Sequence, residues 1–442
     1  MRSGSLILEE GVVRVSDHIR IRQEHFGGII FHTNTGDTLE LDHSAYKMIK
    51  WLQKAVVADI RPLLRQKQIR TVLPVLLDMD IIKYQKTTVP SETLLPSFVD
   101  DKSPDSNDHH PLSAPETVHL AVTYRCDKAC PDCYAQGHMS VTGHELDTIE
   151  ICNVVNAIAD NDVFQLAIGG GEPFLRPDIC DIVRYASSRG LSVHITTGKY
   201  YLTQQWTDTL KHIKSLHIGI RSEELINNME DSSAKLRFLA ELGVPLGANI
   251  ILTRFTIQNI DRLAELLLEC GFNRLIFLRY KPIADLKRWS NENPSGEELV
   301  VFKNWMTQVK WQYPHLMLRI DCAAAFLMSD IEPLTSKQAG IRGCTAGQRI
   351  VSVAPDGSVY PCSQLVGHAY NAGNLTKNSL KNIWRDSDVL KKYRNFRQNV
   401  FFIDSVCGKC TANQSCGGCR VFAKDTISGE PFCAINNMEG AS

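Results

Sequence analysis

The chain has 442 residues but no long uninterrupted apolar run. A membrane-spanning helix needs about 20 consecutive, mostly apolar residues, so the sequence predicts none. The first residues, MRSGSLILEE, also lack an apolar stretch long enough for a secretory signal peptide. Together these absences predict a cytoplasmic protein that is not associated with a membrane.

An excess of charge of one sign is also absent. The chain carries 48 Lys and Arg against 49 Asp and Glu, so its formal net charge is −1. Because attraction to phosphates supplies most non-specific nucleic-acid affinity, this balance argues against nucleic acid as a partner. Hydrophobic residues make up 43% of the chain, as is usual for globular proteins, and the length predicts two or three domains.

Cysteine, in contrast, is abundant, with 14 residues. Cysteines of a protein that is not exported rarely form disulfides, so metal binding explains them better. Cys126, Cys130 and Cys133 are spaced Cys-x3-Cys-x2-Cys, directly after the apolar segment 117–123. Three thiolates on one loop can hold three irons of a [4Fe–4S] cube and leave the fourth iron without a protein ligand. An open, electron-donating iron is what S-adenosylmethionine (SAM) requires for reductive cleavage.

Zinc is the alternative metal for these three cysteines. Zinc in structural sites prefers four ligands, usually two Cys pairs separated by a longer finger. No fourth Cys or His lies within four residues of the three, and His138 is the nearest candidate. The spacing therefore favours the iron–sulfur interpretation.

A glycine-rich motif follows the next predicted strand. Glycines let a ligand approach the backbone closely, and a glutamate can accept hydrogen bonds from an ammonium group. The spacing is not the G-x-G-x-x-G of dinucleotide-binding folds. The motif, GGGEP, consists of Gly169, Gly170, Gly171, Glu172 and Pro173.

Strand and helix patterns alternate around these motifs, and six such βα units predict a parallel sheet. The predicted strands are 117–123, 164–169, 192–197, 215–220, 246–253 and 274–280. The predicted helices are 145–159, 178–189, 203–213, 233–242 and 258–270.

The cysteine motif and GGGEP, one strand apart, resemble the radical SAM superfamily. The resemblance implies an α/β fold with a partial (β/α)6 barrel, in which function gathers at the carboxyl ends of the strands. It further implies that GGGEP contacts the SAM amino group and that Thr197 lies near the ribose or methionyl part. Arg221, Arg254 and Arg279 lie at the ends of later strands, where each could bind the SAM carboxylate or pair with a neighbouring acid. One departure is Asp132, since relatives usually carry an aromatic residue before the third cysteine.

Seven further cysteines near the C-terminus resemble the SPASM domain, which implies two auxiliary [4Fe–4S] clusters. The resemblance assigns Cys344, Cys362 and Cys419 to auxiliary cluster I. A zinc ribbon needs roughly 12–20 residues between its two Cys pairs. Here only five residues separate the pair Cys407 and Cys410 from the pair Cys416 and Cys419, so a zinc ribbon is disfavoured. Cys322 is either the fourth ligand of cluster I or a structural thiol, and we favour an open fourth site. Cluster II receives the remaining four cysteines, Cys407, Cys410, Cys416 and Cys433.

The N-terminal residues 11–86 combine short alternating segments with helical patterns at 43–53, about 56–66 and about 69–79, the last ending in the apolar DIIKY. This order resembles the winged-helix-like RiPP recognition element (PqqD-like), a domain that binds leader peptides. A DNA-binding winged helix is the alternative, because basic residues lie in and between the last two helical patterns. Residues 87–115, rich in Pro, Ser and Asp, predict a linker.

These resemblances divide the chain into a leader-binding domain at 1–86, the linker, a radical SAM barrel at 116–290, a bridging region at 291–343 and a SPASM domain at 344–442. They imply an enzyme whose 5′-deoxyadenosyl radical abstracts hydrogen from a ribosomally made precursor peptide, with a thioether or carbon–carbon crosslink as the product. The implied partners are the leader peptide and an electron donor such as flavodoxin or ferredoxin. The alternatives are an enzyme that edits a peptide backbone or modifies a folded protein or RNA, and a non-catalytic metal protein with a DNA-binding winged helix.

Overall fold

The computed structural model describes residues 11–55, 58–65, 67–87, 111–128, 130–135, 144–200, 202, 206–282, 285–328 and 343–433. The chain divides into two compact units, Met1–Ser113 and Ala114–Ser442. The boundary falls within the segment predicted as a linker. Most of that segment, residues 88–110, lies outside the described residues.

The described part of the N-terminal unit contains two small antiparallel sheets and three helices. The sheets have the orders β5-β1-β6 and β2-β3-β4. The helices are α1 (His43–Ala55), α2 (Ile60–Arg65) and α3 (Lys67–Asp78). The strands are β1 (Val12–Val15), β2 (Ile19–Glu24), β3 (Gly27–His32), β4 (Thr38–Leu41), β5 (Ala58–Asp59) and β6 (Ile82–Gln85).

The DIIKY segment is not the end of the third helix, as the sequence suggested. Helix α3 ends at Asp78, and Asp80 adopts a left-handed conformation with φ of 51°. Residues Ile82–Gln85 then pair with β1 as an antiparallel strand. The left-handed residue reverses the chain, and the buried Ile81 and Ile82 join the unit's core, which is why an apolar run after a helix became a strand.

The C-terminal unit is built on a sheet with ten strands in its described part. Strands β7 (Thr117–Thr123) to β13 lie in sequential order, and every neighbouring pair among them is parallel. The other strands of this run are β8 (Gln165–Gly170), β9 (Ser192–Thr197), β10 (Ser215–Ile220), β11 (Leu246–Leu252), β12 (Arg274–Arg279) and β13 (Met317–Ile320). The six predicted βα units are present, and parallel strands joined by helices place all carboxyl ends at one edge.

Three strands after residue 343 extend the sheet at its other edge. Strand β14 (Ile350–Val353) runs parallel to β7, and β15 (Ser358–Tyr360) and β16 (Gly373–Asn374) add antiparallel. The sheet is therefore mixed. The backbone N–H groups of Glu116 and Thr117 both donate to the Arg349 carbonyl, which fixes the start of β7 to this extension.

Helices alternate with the parallel strands and cover apolar positions such as Val118, Leu120 and Val122 of β7, which are almost fully buried. The helix predicted at 203–213 is shorter, Thr207–Leu210, and the one predicted at 258–270 is interrupted at Asn259. No helix in the described ranges is long and apolar enough to cross a membrane. The helices up to residue 312 are Thr148–Ala159, Ile179–Ser188, Thr207–Leu210, Ser222–Asn227, Met229–Ala240, Arg254–Gln258, Ile260–Glu269, Leu286–Glu292 and Gly296–Gln312.

Beyond β16 the chain forms short helices separated by turns. Of the last five cysteines, Cys407 lies in a helix and the other four lie outside the helices. The aromatic residues Phe396, Phe402 and Phe422 of this region are buried. The helices are Leu380–Asp386, Asp388–Arg394, Val400–Ile403, Val406–Lys409 and Arg420–Ala423.

Candidate active site

The ends of β7 and β8 approach each other so closely that two positions of the GGGEP motif require glycine. The N–H of Gly171 donates to the Thr123 carbonyl at 2.8 Å, and a Cβ at Gly171 would lie 2.2 Å from the Arg125 carbonyl oxygen. Gly170 has φ of 110°, and its Cβ would lie 2.3 Å from the Thr123 oxygen. These contacts hold the motif against the segment that leads into the first cysteine.

Gly169 differs, because no atom of the described residues lies within 4 Å of the position that its Cβ would occupy. The described part of the chain leaves this space open. Its glycine therefore keeps the backbone accessible from the open side, as a ligand that contacts the backbone requires.

Glu172 is 1% exposed and connects the motif to the end of β9. Its carboxylate accepts hydrogen bonds from Thr197 Oγ1 at 2.8 Å, from Gly198 N at 3.0 Å and from Phe174 N at 3.1 Å. Burial raises the pKa of Glu172, while these hydrogen bonds act in the opposite direction. The structure thus brings together two predicted SAM-binding residues, Glu172 and Thr197.

The loop between the first two cysteines is fastened to the same strand end. Lys199 Nζ lies 2.6 Å from Asp127 Oδ2, and the pKa of Asp127 is lowered by this hydrogen bond. Lys128 Nζ donates to the Gly198 carbonyl and lies 5.1 Å from the centre of the Tyr200 ring. The sequence analysis overlooked these contacts, although both loop residues lie inside the cysteine motif.

Cys126 is exposed, whereas Cys130 and Cys133 are half-buried. Burial raises the pKa of the Cys130 thiol, and the nearby positive charges of Arg221 and Lys128 oppose that rise. Arg221 is thus near the cysteine motif, and its backbone N–H donates to Tyr200 Oη at 3.0 Å.

Two of the three arginines at the strand ends, Arg254 and Arg279, pair with acids, which is one of the two roles that the sequence left open for them. Arg254 pairs with Glu298 at 3.0 Å. Arg279 is buried, pairs with Glu430, donates to the Phe432 carbonyl and stacks on Phe422 with its guanidinium carbon 4.0 Å from the ring centre. Arg279 is therefore a structural residue, because residues far along the chain occupy its donors.

A cavity of about 190 Å³ opens beside the cysteine motif at the ends of β10 and β11. Acidic and basic side chains share its wall, and Arg221 also pairs with Glu224 at 3.3 Å. Asp132, which replaces the aromatic residue usual in relatives, lies on this wall. The charged lining residues are Asp132, Arg221, Glu223, Glu224, Arg288 and Glu292.

Four of the later cysteines form one group near residues 407–433. Burial raises the pKa of Cys416 to about 12, and the neighbouring thiols of Cys433 and Cys407 contribute to the rise. Burial also raises the pKa of Cys407, and the neighbouring Cys410 thiol adds to that rise. Backbone N–H groups already point at the sulfurs, since Glu430 N lies 3.1 Å from Cys407 Sγ.

A second group contains Cys322. Burial raises the pKa of the Cys322 thiol, and the next contributions come from neighbouring charges that include Cys344, Cys419 and Cys362. The sequence interpretation that favoured a separate, structural Cys322 is not supported by this placement. The second group therefore offers four thiols instead of three.

A buried ion pair that the sequence analysis missed lies beside this second group. Lys281 pairs with Asp321, and their side chains are 9% and 15% exposed. Burial lowers the pKa of Lys281, but the charges of Asp321 and Cys419 raise it more, so the amine stays protonated. Burial raises the pKa of Cys362, and the positive charge of Lys281 opposes that rise. A positive charge therefore lies near this group of cysteines.

The spacing of the cysteines fits iron–sulfur clusters better than single zinc ions. Zn–S bonds of about 2.3 Å in a tetrahedron bring sulfurs to within about 3.8 Å of each other. Among the described residues, one group of three or more ligand atoms lies within 4.8 Å of one another, and that group contains no cysteine. All fourteen cysteines lie in the described ranges and none forms a disulfide. The donor sets therefore fit multi-iron clusters, whose thiolates stand farther apart.

Comparisons with known proteins match this arrangement. Residues 120–267 match the model of the radical SAM superfamily, and residues 344–420 match SPASM, an iron–sulfur cluster-binding domain. The AdoMet-dependent heme synthase of Methanosarcina barkeri is 24% identical over 349 residues, which cover 73% of this chain and 97% of that protein. The mycofactocin maturase MftC of Mycobacterium tuberculosis is 25% identical over 350 residues, 75% of this chain and 85% of that protein.

A solved structure with the same fold covers more of the chain. SuiB of Streptococcus suis, bound to S-adenosylmethionine, superposes with a TM-score of 0.68 at 18% identity, over 95% of this chain and 99% of SuiB. SuiB has also been solved bound to its precursor peptide SuiA.

The open Gly169, the buried Glu172 and the three-cysteine motif coincide with the matched radical SAM segment, and the two four-cysteine groups draw on the matched SPASM segment. SAM and [4Fe–4S] clusters are accordingly the cofactors. The chain is a radical SAM enzyme with a SPASM domain.

Proposed function

We propose that this enzyme modifies a ribosomally synthesised precursor peptide, and that the product carries a thioether or carbon–carbon crosslink. The observation that carries the proposal is the joint presence of a separate N-terminal unit, a radical SAM segment and a SPASM segment in one chain. The likeness to SuiB supports it, because a match over 95% of the chain must include most of the N-terminal unit.

For the SAM site, we assign the first cluster to Cys126, Cys130 and Cys133. When bound, this cluster and SAM supply a 5′-deoxyadenosyl radical, which takes a hydrogen atom from the substrate. Glu172 would accept hydrogen bonds from the SAM ammonium, and Gly169 would leave room for it. Arg221 is better placed for the SAM carboxylate than Arg254, because its charge acts on Cys130 of the cysteine motif. Both arginines pair with an acid, Arg221 with Glu224 and Arg254 with Glu298.

For the auxiliary sites, we assign Cys407, Cys410, Cys416 and Cys433 to cluster II. Cluster I would be held by the other group of four, in which Cys322 is the fourth ligand. A fully ligated cluster I cannot bind the substrate directly without losing a thiolate. It would instead accept the electron released when the crosslink forms, and Lys281 would favour that reduction by its positive charge. A flavodoxin or ferredoxin would supply the electron for SAM cleavage.

The N-terminal unit would bind the leader as a winged-helix-like recognition domain. In the described residues β4 pairs only with β3, so its other edge can accept an extended peptide as an added strand. A cavity of about 380 Å³ lies beside it, lined by Ile30, Leu39, Met79 and Ile81 and by acidic residues. This wall favours a leader with an apolar anchor and a basic neighbour.

The cavity next to the cysteine motif would receive the core peptide. Its four acidic and two basic side chains can orient a peptide backbone or a basic side chain near the reacting carbon.

The experiment that tests this function follows SAM cleavage in reconstituted, reduced protein. Wild-type protein should convert SAM to 5′-deoxyadenosine, and replacement of Cys126, Cys130 and Cys133 by Ala should abolish the product. The triple variant should still hold about eight irons as two auxiliary clusters. Undiminished cleavage in that variant, or stoichiometric zinc after reconstitution with iron and sulfide, would refute the assignment.

A further inference from the structure

Three turns of the N-terminal unit bring two histidines and a carboxylate together. His18 lies between β1 and β2, His32 ends β3, and Asp80 follows α3. One ligand atom from each of these residues lies within 4.8 Å of the other two. In the described residues, no other group of His, Cys, Asp and Glu meets this condition.

We propose that His18, His32 and Asp80 form a divalent metal site of the zinc type. Two imidazoles and one carboxylate are a common ligand set for zinc, with the fourth position left to water. Neither the sequence motifs nor the matched segments, 120–267 and 344–420, involve these residues.

The geometry is already close to that of a coordination sphere. His18 Nε2 lies 3.1 Å from Asp80 Oδ2, a separation that two ligands of one zinc can have. The His18 and His32 rings are 4.2 Å apart between centroids. Bonds to zinc of about 2.0–2.2 Å require the three ligand atoms, which lie within 4.8 Å of one another, to move closer to a shared ion.

Backbone hydrogen bonds hold the three turns in register. Ser16 N donates to the Ile81 carbonyl at 3.0 Å, and Thr33 N donates to the His18 carbonyl at 2.8 Å. These backbone hydrogen bonds hold the three ligand residues near one another before an ion binds. Less conformational entropy is therefore lost when an ion binds.

Asp80 is held in place by the turn that follows α3. It is one of three non-glycine residues with positive φ in the described chain, at 51°, a conformation that Asp tolerates better than most residues. Ser16 Oγ also donates to Asp80 Oδ1 at 3.3 Å, which orients the other carboxylate oxygen toward His18.

The site has an opening for a fourth ligand. His32 and Asp80 line the 380 Å³ cavity together with Asp37 and Asp78. The extra carboxylates make this side of the unit attractive to a cation, and the cavity has room for a water ligand.

Metal binding has a local cost at each imidazole. His18 Nε2 faces two acceptors, the Asp80 carbonyl oxygen at 3.1 Å and Asp80 Oδ2 at 3.1 Å, so it must lose its proton to bind an ion. His32 Nδ1 now accepts a hydrogen bond from Thr35 N at 3.2 Å. A metal on Nε2 requires the proton on Nδ1, so this bond must break. Thr35 is partly exposed, so water can replace the lost acceptor.

The test uses the full-length enzyme with its clusters reconstituted, treated with EDTA and then supplied with Zn²⁺ alone. Zinc is counted after gel filtration, and X-ray absorption at the zinc edge reports the ligands. We expect about one zinc per chain with nitrogen and oxygen ligands at about 2.0–2.1 Å and the signature of two imidazoles.

Variants assign the site. The double change His18→Gln with His32→Gln should remove the bound zinc. Asp80→Asn should weaken binding at least tenfold while keeping the turn, since Asn tolerates positive φ. The exposed His25→Gln in the same unit is the matched control and should bind like wild type.

Two results would overturn the site. One is sulfur in the zinc coordination shell of the wild-type protein, or no retained zinc. The other is an unchanged zinc content in the double variant. Because the absorption measurement uses the wild-type protein, it decides the question even where a variant fails to fold.

Discussion

At the scale of single residues, two glycines of the GGGEP motif differ in their surroundings at the site that we assign to SAM. Gly169 and Gly171 stand two positions apart in one motif, yet the space around them differs. A Cβ on Gly171 would lie 2.2 Å from the Arg125 carbonyl oxygen, whereas one on Gly169 would meet no atom of the described residues within 4 Å. Gly171 therefore serves the protein's own packing, and Gly169 borders the space that we assign to SAM.

We therefore predict opposite effects of alanine at these two positions. Gly171→Ala should lower the free energy of unfolding by about 1–3 kcal/mol, because backbone must move to admit the methyl group. Gly169→Ala should leave the unfolding free energy nearly unchanged and raise the Kd for SAM. Denaturant unfolding and equilibrium dialysis with SAM measure the two effects. If Gly169→Ala binds SAM like wild type, the open space does not belong to the SAM site.

Glu172 permits a prediction about pH. Burial raises its pKa, so the carboxyl becomes neutral at a pH above its ordinary value of 4.5. A neutral carboxyl attracts an ammonium group less strongly, so SAM affinity should fall as pH is lowered through the raised pKa. Glu172→Gln should bind SAM about 10–100-fold more weakly, as expected from losing a charged hydrogen bond, and should lack this pH dependence. Glu150→Gln, in a helix cap, is the control.

Among secondary-structure elements, those with local signals were predictable. Strands β7 to β12 alternate with helical patterns, and the first two of them lead into the cysteine motif and GGGEP, so the parallel sheet followed from the sequence. Strands β13 and β14 are only four residues long, and their place depends on partners distant in the chain. Nothing within four residues distinguishes such a strand from a loop.

For the same reason, sequence analysis could name Cys322 only as one of two options for the fourth site of cluster I. Its neighbours AAAF look like core, and its partners Cys344, Cys362 and Cys419 come from three other segments. Spacing rules apply to cysteines on one loop, whereas this group is assembled by tertiary structure.

We predict that Cys322→Ala alters auxiliary cluster I. Loss of the fourth thiolate should make one iron of that cluster distinct in Mössbauer spectra, or reduce the iron content from about 12 to about 8 per chain. Cys270→Ala is the matched control, because Cys270 is buried and belongs to neither group. Unchanged spectra and iron content in the Cys322 variant would show that cluster I has another fourth ligand.

The Lys281–Asp321 pair should influence the reduction potential of auxiliary cluster I. Replacing Lys281 alone, with Lys281→Met, removes the positive charge and leaves the Asp321 carboxylate, whose negative charge acts on Cys322, so both effects disfavour reduction of the cluster. If the substitution destabilises the reduced cluster by about 1.4 kcal/mol relative to the oxidised cluster, the reduction potential falls by about 60 mV. Redox titration followed by EPR measures the shift, with the exposed Lys287→Met as control. A shift toward positive potential would contradict the role given to Lys281.

For the whole molecule, the sequence predicted the order of the parts because each part has its own motif or composition. It did not predict the histidine and aspartate group, since His18, His32 and Asp80 are scattered over the unit. Residues that act together through turns leave no pattern of spacing.

The N-terminal unit should matter for the peptide and not for SAM. Deleting residues 1–86 should sharply weaken precursor binding and modification, because the leader loses its strand partner and the core loses its tether. SAM cleavage without peptide should persist, since the assigned SAM and cluster ligands all follow residue 115. Fluorescence anisotropy of a labelled leader and product analysis test the two statements. Tight binding of duplex DNA by the unit would favour the DNA-binding alternative.

The central claim is tested most directly by the mass of the precursor peptide encoded beside the gene, after incubation with reconstituted enzyme, SAM and a reductant. The account predicts that the peptide loses the mass of two hydrogen atoms, in step with 5′-deoxyadenosine formation, and that tandem fragmentation locates a crosslink. The Cys126, Cys130 and Cys133 triple alanine variant should give neither product. An unmodified peptide in the presence of vigorous SAM cleavage, or a modified peptide with the triple variant, would contradict the account.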